Sequence, residues 1–286
     1  MNLWLIQSLN SLALGGVLFI LAAGFSLIFG LMRIANLSHG AYFMLGAYVG
    51  LSLLQRGAPF LVAMLGAAAA VGVLGAVVER LVLRRLAGNP LGQVLATLGI
   101  AFIIADFCLW FWGGDPRPVS PPALLAGAVR VFGLAFPLYR LAVLLFSTAV
   151  AIALWLLLEK TRVGMMIRAS VDDMQMARAV GIPASWLFVL VFSLGTALAG
   201  IGGVVAAPIL SVYPGMEADT LPLALVVVIL GGLGSLFGAF VGSFLVGFIY
   251  TFGQVLLPDL AYIILFLPMV VILAVRPRGL FGRISA

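Results

Sequence analysis

A single histidine, a single cysteine and nine carboxylates are all that this chain offers for acid–base, nucleophilic or metal chemistry. His39 and Cys108 stand far apart in sequence, so the usual imidazole and thiolate sets that hold a metal are missing, and one cysteine cannot form an intrachain disulfide. Covalent or acid–base hydrolysis needs a nucleophile beside a base, or two acids together; Asp106 in "IIADFCLWFW" is the one carboxylate well inside an apolar run. A Gly-x-x-x-x-Gly-Lys-Ser/Thr phosphate loop is absent, and the only lysine, Lys160, follows "LLLE" with no glycine-rich lead. The expectation is a protein that is not an enzyme, with no catalytic residue, cofactor or metal of its own and no means of hydrolysing ATP by that loop. Asp106 reads either as a residue of a transport path or as an interfacial or bundle-facing structural acid, with Trp110 and Trp112 beside it as an aromatic belt.

The elements that carry these residues are set by composition. Hydrophobic residues make up 64% of the chain and charged ones 8%, with a mean hydropathy of +1.28. Ordinary globular domains carry about 25% charged residues. The missing charge falls in unbroken apolar stretches long enough to cross a bilayer, at roughly 20 residues each. In hydrocarbon only helices or closed barrels satisfy their own backbone, and unbroken rather than alternating runs select helices. The fold class expected is all-α: a single polytopic domain, residues 1–286, of about eight or nine spans. Charge-free stretches place them at 1–32, 34–55, 57–78, 86–105, 141–158, 179–216, 220–258 and 260–275. The stretch from Thr220 to Pro258 is roughly 58 Å as a helix, too long for one crossing. It divides at "GGLGSLFG", Gly231 to Gly238. The piece before that break is short for an upright span, so a re-entrant element there is the alternative to a ninth crossing.

Basic residues orient the chain. Arg33, the group Arg80, Arg84 and Arg85, the group Lys160, Arg162, Arg168 and Arg178, and the tail residues Arg276, Arg278 and Arg283 fall on one side if the crossings number nine. Only Arg56, Arg117, Arg130 and Arg140 fall on the other. Positive charge stays preferentially in the cytoplasm, which puts the amino terminus outside and the carboxyl terminus inside. The longest outer loop is then 113–140, and the main cytoplasmic connection 159–185. The amino terminus has no basic residue before its apolar run and reads as a retained span rather than a secretory signal. Small residues at four-residue spacing, Gly195, Ala199, Gly203 and Ala207 in one span and Gly234, Gly238 and Gly242 in another, are the pattern that lets membrane helices approach closely.

Two polar stretches interrupt this apolar pattern. In "LMRIANLSHGAYFMLGAY", residues 31–48, Arg33, Asn36 and His39 are expected at a cytoplasmic turn between the first two spans, where water is available and no buried partner is needed. Arg33 is then the inside-retaining charge, Asn36 or Ser38 the cap of the second span, and His39 a hydrogen-bonding residue beside Gly40, with a proton-carrying His39 as the sharper alternative. In "TRVGMMIRASVDDMQMARAVGIPASW" a short helix is expected, started by Asp172 or Asp173, ended by Gly181 in the left-handed conformation, and prevented from continuing by Pro183. Met176, Ala177 and Val180 share its apolar face and Gln175 and Arg178 turn away.

That second stretch resembles the coupling loop of ABC importer permeases, with Gln175, Met176, Ala177 and Gly181 at the positions of the Glu-Ala-Ala, three residues, Gly pattern. The acidic residue of the pattern is replaced by Gln175. Together with "FSLIFGLMRIANLSHGAYFMLGAYVG", "TRVGMMIRA", "AVGI" and "LGGLGSLFGAFVGSFLVG", the chain resembles branched-chain amino acid ABC transporter permeases of the LivH type nearly end to end. The resemblance implies a subunit of the bacterial cytoplasmic membrane that pairs with a second, homologous permease subunit, is driven by two ATP-binding ABC ATPase subunits, and receives leucine, isoleucine or valine from an extracytoplasmic solute-binding protein. It implies an ATPase-coupling role for Gln175, Ala177, Gly181 and Arg168, and for membrane lipid, but no nucleic acid, as a further partner. Asn36, Thr97, Gly231, Gly232 and Gly234 are candidates for lining the pathway, since interrupted helices expose backbone to a polar solute. The same permease group includes carriers of urea, short amides and other amino acids. A secondary transporter or channel, which usually places ionisable groups deep in its spans, and a polytopic membrane enzyme are the alternatives of other classes.

The charge pattern makes a direct prediction. In a background without Cys108, single cysteines at Ser120 and Ser285 should react with an impermeant thiol reagent from the outside and from the inside respectively. Labelling of both from one side would contradict the odd number of crossings.

Overall fold

The computed structural model describes residues 2–131, 134–276 and 279–282. Arg278, Arg283 and Ser285 lie outside the described residues. Among the described residues eleven α-helices account for nearly all regular structure: α1 (Asn2–Met32), α2 (His39–Gln55), α3 (Phe60–Leu81), α4 (Pro90–Trp112), α5 (Leu138–Lys160), α6 (Arg162–Asp172), α7 (Met174–Ala179), α8 (Ala184–Leu210), α9 (Met216–Gly231), α10 (Leu236–Leu256) and α11 (Ala261–Val275). Two short antiparallel strands, β1 (Ala128–Val131) and β2 (Leu134–Pro137), sit in the long connection between α4 and α5. The all-α, polytopic expectation holds.

Close contacts fix the direction of each helix. Gly15 of α1 lies against Phe244 of α10 and Gly30 against Gly234, so these two run antiparallel. Gly46 and Gly50 of α2 meet Gly200 and Val204 of α8, so that pair is parallel. Tyr48 of α2 stacks on Trp112 of α4, and Leu37 ahead of α2 reaches Thr97 of α4, which makes α4 parallel to α2. Followed along the chain, α1, α2, α3, α4, α5, α8, α9, α10 and α11 alternate in direction, with α6 and α7 lying between crossings at one end. Six of the nine, α1, α3 (extended to Leu86), α4, α5, α8 and α10, are long and apolar enough to cross a membrane by themselves. α2, α9 and α11, of 17, 16 and 15 residues, are short for a hydrocarbon layer about 30 Å thick.

The layers follow from which helices carry small residues. α2 is buried along almost its whole length, enclosed by α8, α3, α4 and α9. A Cβ on Gly46 would stand 2.3 Å from Gly200 Cα, and one on Gly203 would stand 2.0 Å from Phe43 O, so the backbones of α2 and α8 touch. This is the packing that the four-residue stripe in α8 predicts. Around that core, α4 and α5 turn most of their surface outward; Phe102, Ile103 and Trp110 of α4 are exposed, as an apolar solvent allows.

Two boundaries and one orientation differ from the expectation. The second apolar run is helical only from His39, not from Ile34. The seventh crossing begins at Met216, so Glu217 and Asp219 enter the first turn of α9, where helix N-H groups favour acids. Asp106 is not bundle-facing: it is exposed on α4 among apolar neighbours.

Helix contact through bare backbone predicts a sharp contrast. Gly46→Leu should cost about 3 kcal/mol or more of bundle stability, because the helices must separate to admit the side chain. Gly99→Leu, on an exposed face of α4 with nothing within 4 Å of its Cβ, should change stability by less than about 0.5 kcal/mol. Thermal unfolding of both variants in detergent checks the difference.

Candidate functional site

Between α1 and α2 the chain does not turn at the surface. Arg33 ends α1 in the left-handed region, φ 54°, with its N-H donating to Phe29 O at 2.8 Å, and its side chain is exposed. The following residues run back into the bundle. His39 Nε2 lies 2.9 Å from Leu21 O. Leu21 stands eleven residues before the end of α1, which puts the imidazole about 16 Å from that end. Six extended residues reach about 20 Å at most, so 33–38 is a re-entrant strap lying alongside the helix it has just left.

Burial of that strap obliges its backbone to find partners among side chains, because hydrocarbon supplies none. Asn36 Oδ1 accepts from Ser38 N at 3.2 Å and from the Ser38 hydroxyl at 2.6 Å. Leu37 N donates to Thr97 Oγ1 at 3.2 Å, and the Thr97 hydroxyl donates to Val94 O at 2.8 Å. His39 N donates to Asn36 O at 3.2 Å. Asn36, Ser38, His39 and Thr97 are all fully buried. Leu21 O can only accept, so His39 carries its proton on Nε2. The edge of the ring faces Phe25 at 5.5 Å between centroids, and Gly24 leaves room for Cε1. His39 Nδ1 and Asn36 Nδ2 have no hydrogen-bond partner among the described residues.

The sequence expectation for this segment is therefore corrected. Asn36 and His39 do need buried partners and have them, His39 in Leu21 O of α1 and Asn36 in Ser38 of the strap itself. Ser38 is the residue ahead of α2, but its side chain makes no cap; Asn36 folds back on Ser38 instead. Gly40 does allow a close approach, though to α9: its Cβ would stand 2.7 Å from Glu217 O. Asn36 and Thr97, expected together as pathway-lining residues, belong to one polar knot. Gly231, Gly232 and Gly234 lie elsewhere, at the turn between α9 and α10, where Leu280 N and Phe281 N donate to Leu230 O and Gly231 O at 2.9 and 3.0 Å. The tail thereby caps the end of α9.

At the end of the bundle where α1 and α3 finish, α6 and α7 form the second candidate element. Two helices stand where one was expected, broken at Asp173, whose carboxylate accepts from Gln175 N and Met176 N, both at 2.9 Å. Gly181 N donates to Arg178 O and Ile182 N to Ala177 O, the paired closure of a helix end, with Gly181 at φ 89°. The start by Asp173 and the stop by Gly181 match the sequence reading. The shared apolar face does not: Ala177 turns into the protein while Met176 and Val180 are exposed with Gln175. Gly164 packs against the last carbonyls of α5, and Arg168 reaches Glu159 at 3.5 Å, a half-exposed pair that ties α6 to the end of α5. Sequence reasoning passed over Glu217 and Asp219; their position as acids at the head of a short apolar run was the available signal.

A bundle of alternating spans, three of them short, and a capped, outward-facing helical turn define a multi-pass permease. The profile of the family described as branched-chain amino acid transport system permease component matches residues 7–273, and the chain belongs to that family. It is 26% identical to the high-affinity branched-chain amino acid transport system permease protein BraD of Pseudomonas aeruginosa, over 98% of this chain and 96% of that one. It is 25% identical to LivH of Escherichia coli K12, over 97% and 95%. A D-allose transport system permease protein of Escherichia coli, AlsC, is 29% identical over 74% of this chain and 65% of its own. The solved structure of PsaBC from Streptococcus pneumoniae, in complex with Fab, has a similar fold, with a TM-score of 0.51 and 14% identity over 93% of this chain and 89% of that one.

The knot predicts how His39 tolerates change. His39→Gln keeps a donor for Leu21 O but cannot carry a proton near neutrality, so assembly and transport should persist without new pH dependence between about pH 6 and 8, the window around the ordinary imidazole pKa of about 6.5. His39→Ala should destabilise the protein by about 2–4 kcal/mol through the cavity and the lost bond. Transport lost in the Gln variant at normal assembly would place the proton of His39 in the mechanism.

Proposed function

We propose that this chain is a membrane-spanning subunit of an ATP-driven ABC importer that moves branched-chain amino acids, leucine, isoleucine or valine, across the bacterial cytoplasmic membrane. The observation that carries this reading is the α6–α7 element: a rigidly capped turn at the end of the bundle, with Met176 and Val180 exposed in a family of transport permeases. Exposed apolar side chains on a short, fixed helix suit a partner's groove. One of two ATPase subunits docks there, supplying the nucleotide chemistry for which the chain has no phosphate loop, and a second permease subunit, which carries the other ATPase, completes the pathway. An extracytoplasmic binding protein delivers the solute at the opposite end, near β1 and β2.

The side assignment rests on charge. Arg33, Arg80, Arg84, Arg85, Lys160, Arg162, Arg168, Arg178 and Arg276 gather at the α6–α7 end, and Arg56, Arg117, Arg130 and Arg140 at the other. The basic end is cytoplasmic and the amino terminus outside. Matches to relatives named for branched-chain amino acids cover both chains almost entirely, whereas the match to a sugar permease is partial, which favours the amino acid reading.

Gly181→Val tests the docking. Nothing lies within 4 Å of a Cβ there, so the bundle is untouched, but a β-branched residue at φ 89° adds about 1–2 kcal/mol of backbone strain and loosens the end of α7. Co-purification of the ATPase subunits and solute-stimulated ATP hydrolysis should both fall severalfold, with the thermal stability of the permease unchanged. Full uptake and normal subunit association in this variant would reject docking at α7.

A further inference from the structure

α1 carries Leu14, Val17, Leu18 and Leu21 at the spacing of one helix face, and that face is one wall of a partly enclosed cavity of about 170 Å³. Phe43 of α2 and Leu223 of α9 add apolar surface. The remaining wall is polar, from Tyr213, Asp219, Thr220 and Tyr250. The Tyr213 hydroxyl donates to Asp219 Oδ2 at 2.7 Å and fixes that carboxylate at the rim, where Asp219 is exposed. Thr220 is already committed, donating to Met216 O at 2.8 Å. Among the described residues no cation pairs with Asp219. The floor is held by the buried knot: Leu21 offers its carbonyl to His39 and its side chain to the cavity.

We propose that this cavity binds the transported solute at the end of the bundle remote from α6 and α7, and that its occupant is an α-amino acid with a compact branched aliphatic side chain, seated on the α1 face with its ammonium group on Asp219. This rests on the amino acid permease reading above. A dry apolar cavity of about 150 Å³ holds a benzene-sized molecule, so the volume here suits a four-carbon side chain and excludes an indole. A sugar would leave the α1 face without apolar contact, and an anionic solute would meet the Asp219 carboxylate. The solute's own carboxylate stays in water at the open rim. An apolar wall with a few placed polar groups is the usual composition of a small-molecule site, and location at the head of a short helix, beside an interrupted one, is where broken-helix transporters hold solutes.

The test uses the full chain in native membranes, in a Cys108→Ala background that carries Val17→Cys at the middle of the apolar wall. A small maleimide should label Val17→Cys, and leucine should protect it. Alanine should need at least about tenfold higher concentration for the same protection, since each methylene in an apolar pocket changes binding about 10-fold or more. Adding Asp219→Asn, an exposed change whose amide oxygen can still accept from Tyr213, should raise the half-protecting leucine concentration at least about tenfold. Protection by 4-methylpentanamide, which keeps the isobutyl group and has no ammonium, should be the same in both backgrounds. A thiol that does not react without leucine, labelling unaffected by leucine, or equal protection by leucine and alanine would each overturn the site. Leucine protection in membranes whose intact complex takes up no leucine would uphold the site while rejecting the transport reading.

Discussion

A peptide group inside hydrocarbon must be hydrogen-bonded by the protein itself, and the architecture of this chain depends on how it meets that requirement where its helices stop short. A regular span satisfies its own backbone. The strap 33–38 cannot, and it is viable only because Asn36 and Ser38 bond within it while Thr97 of α4 holds Leu37 N and Leu21 O of α1 holds the His39 that follows. That convergence in turn fixes α1, α2 and α4 relative to one another. A break of this kind is costly to build in a membrane, and proteins keep such breaks where backbone faces a cavity or a moving part. Here the strap ends immediately below the cavity bounded by Leu21 and Phe43.

The second constraint is contact distance. Two neighbouring helices in lipid gain no hydrophobic advantage over lipid tails, so their association rests on close van der Waals contact and on interhelical hydrogen bonds. Gly46 against Gly200 and Gly203 against the Phe43 carbonyl bring α2 and α8 to backbone contact, and α2 becomes the buried axis of the molecule. An axis so placed transmits displacement poorly along its side chains and well as a rigid rod. Movement at the α6–α7 end, continuous in sequence with α8, has a direct route to α2 and to the head of α9 through Gly40 and Glu217.

Chemistry is divided between the two ends accordingly. One carries the basic residues and a turn whose geometry is over-determined by the Asp173 cap and the Gly181 closure. The other carries acids in the first turn of a short helix and an extended connection bridged to it by Arg117 and Val212.

Composition and local pattern alone determined that this protein is an all-α membrane bundle of many apolar helices, and that 161–186 holds a capped helix closed by a glycine. Those properties follow from solvent and from local backbone rules, each read within a window of a few residues or by counting. The place of Asn36 and His39 was decided only by the tertiary structure. From sequence, a polar cluster between two apolar runs is indistinguishable from an ordinary loop at the membrane surface, because the difference lies in whether Leu21 and Thr97, 18 and 60 residues from their partners, come within hydrogen-bonding reach. The same holds for Asp219, whose significance comes from α1 closing over it from the far end of the chain, and for Asp106, whose outward direction depends on the rotation of α4 about its own axis. Helical periodicity reports which residues share a face; which way that face turns is set by the neighbours that pack against it.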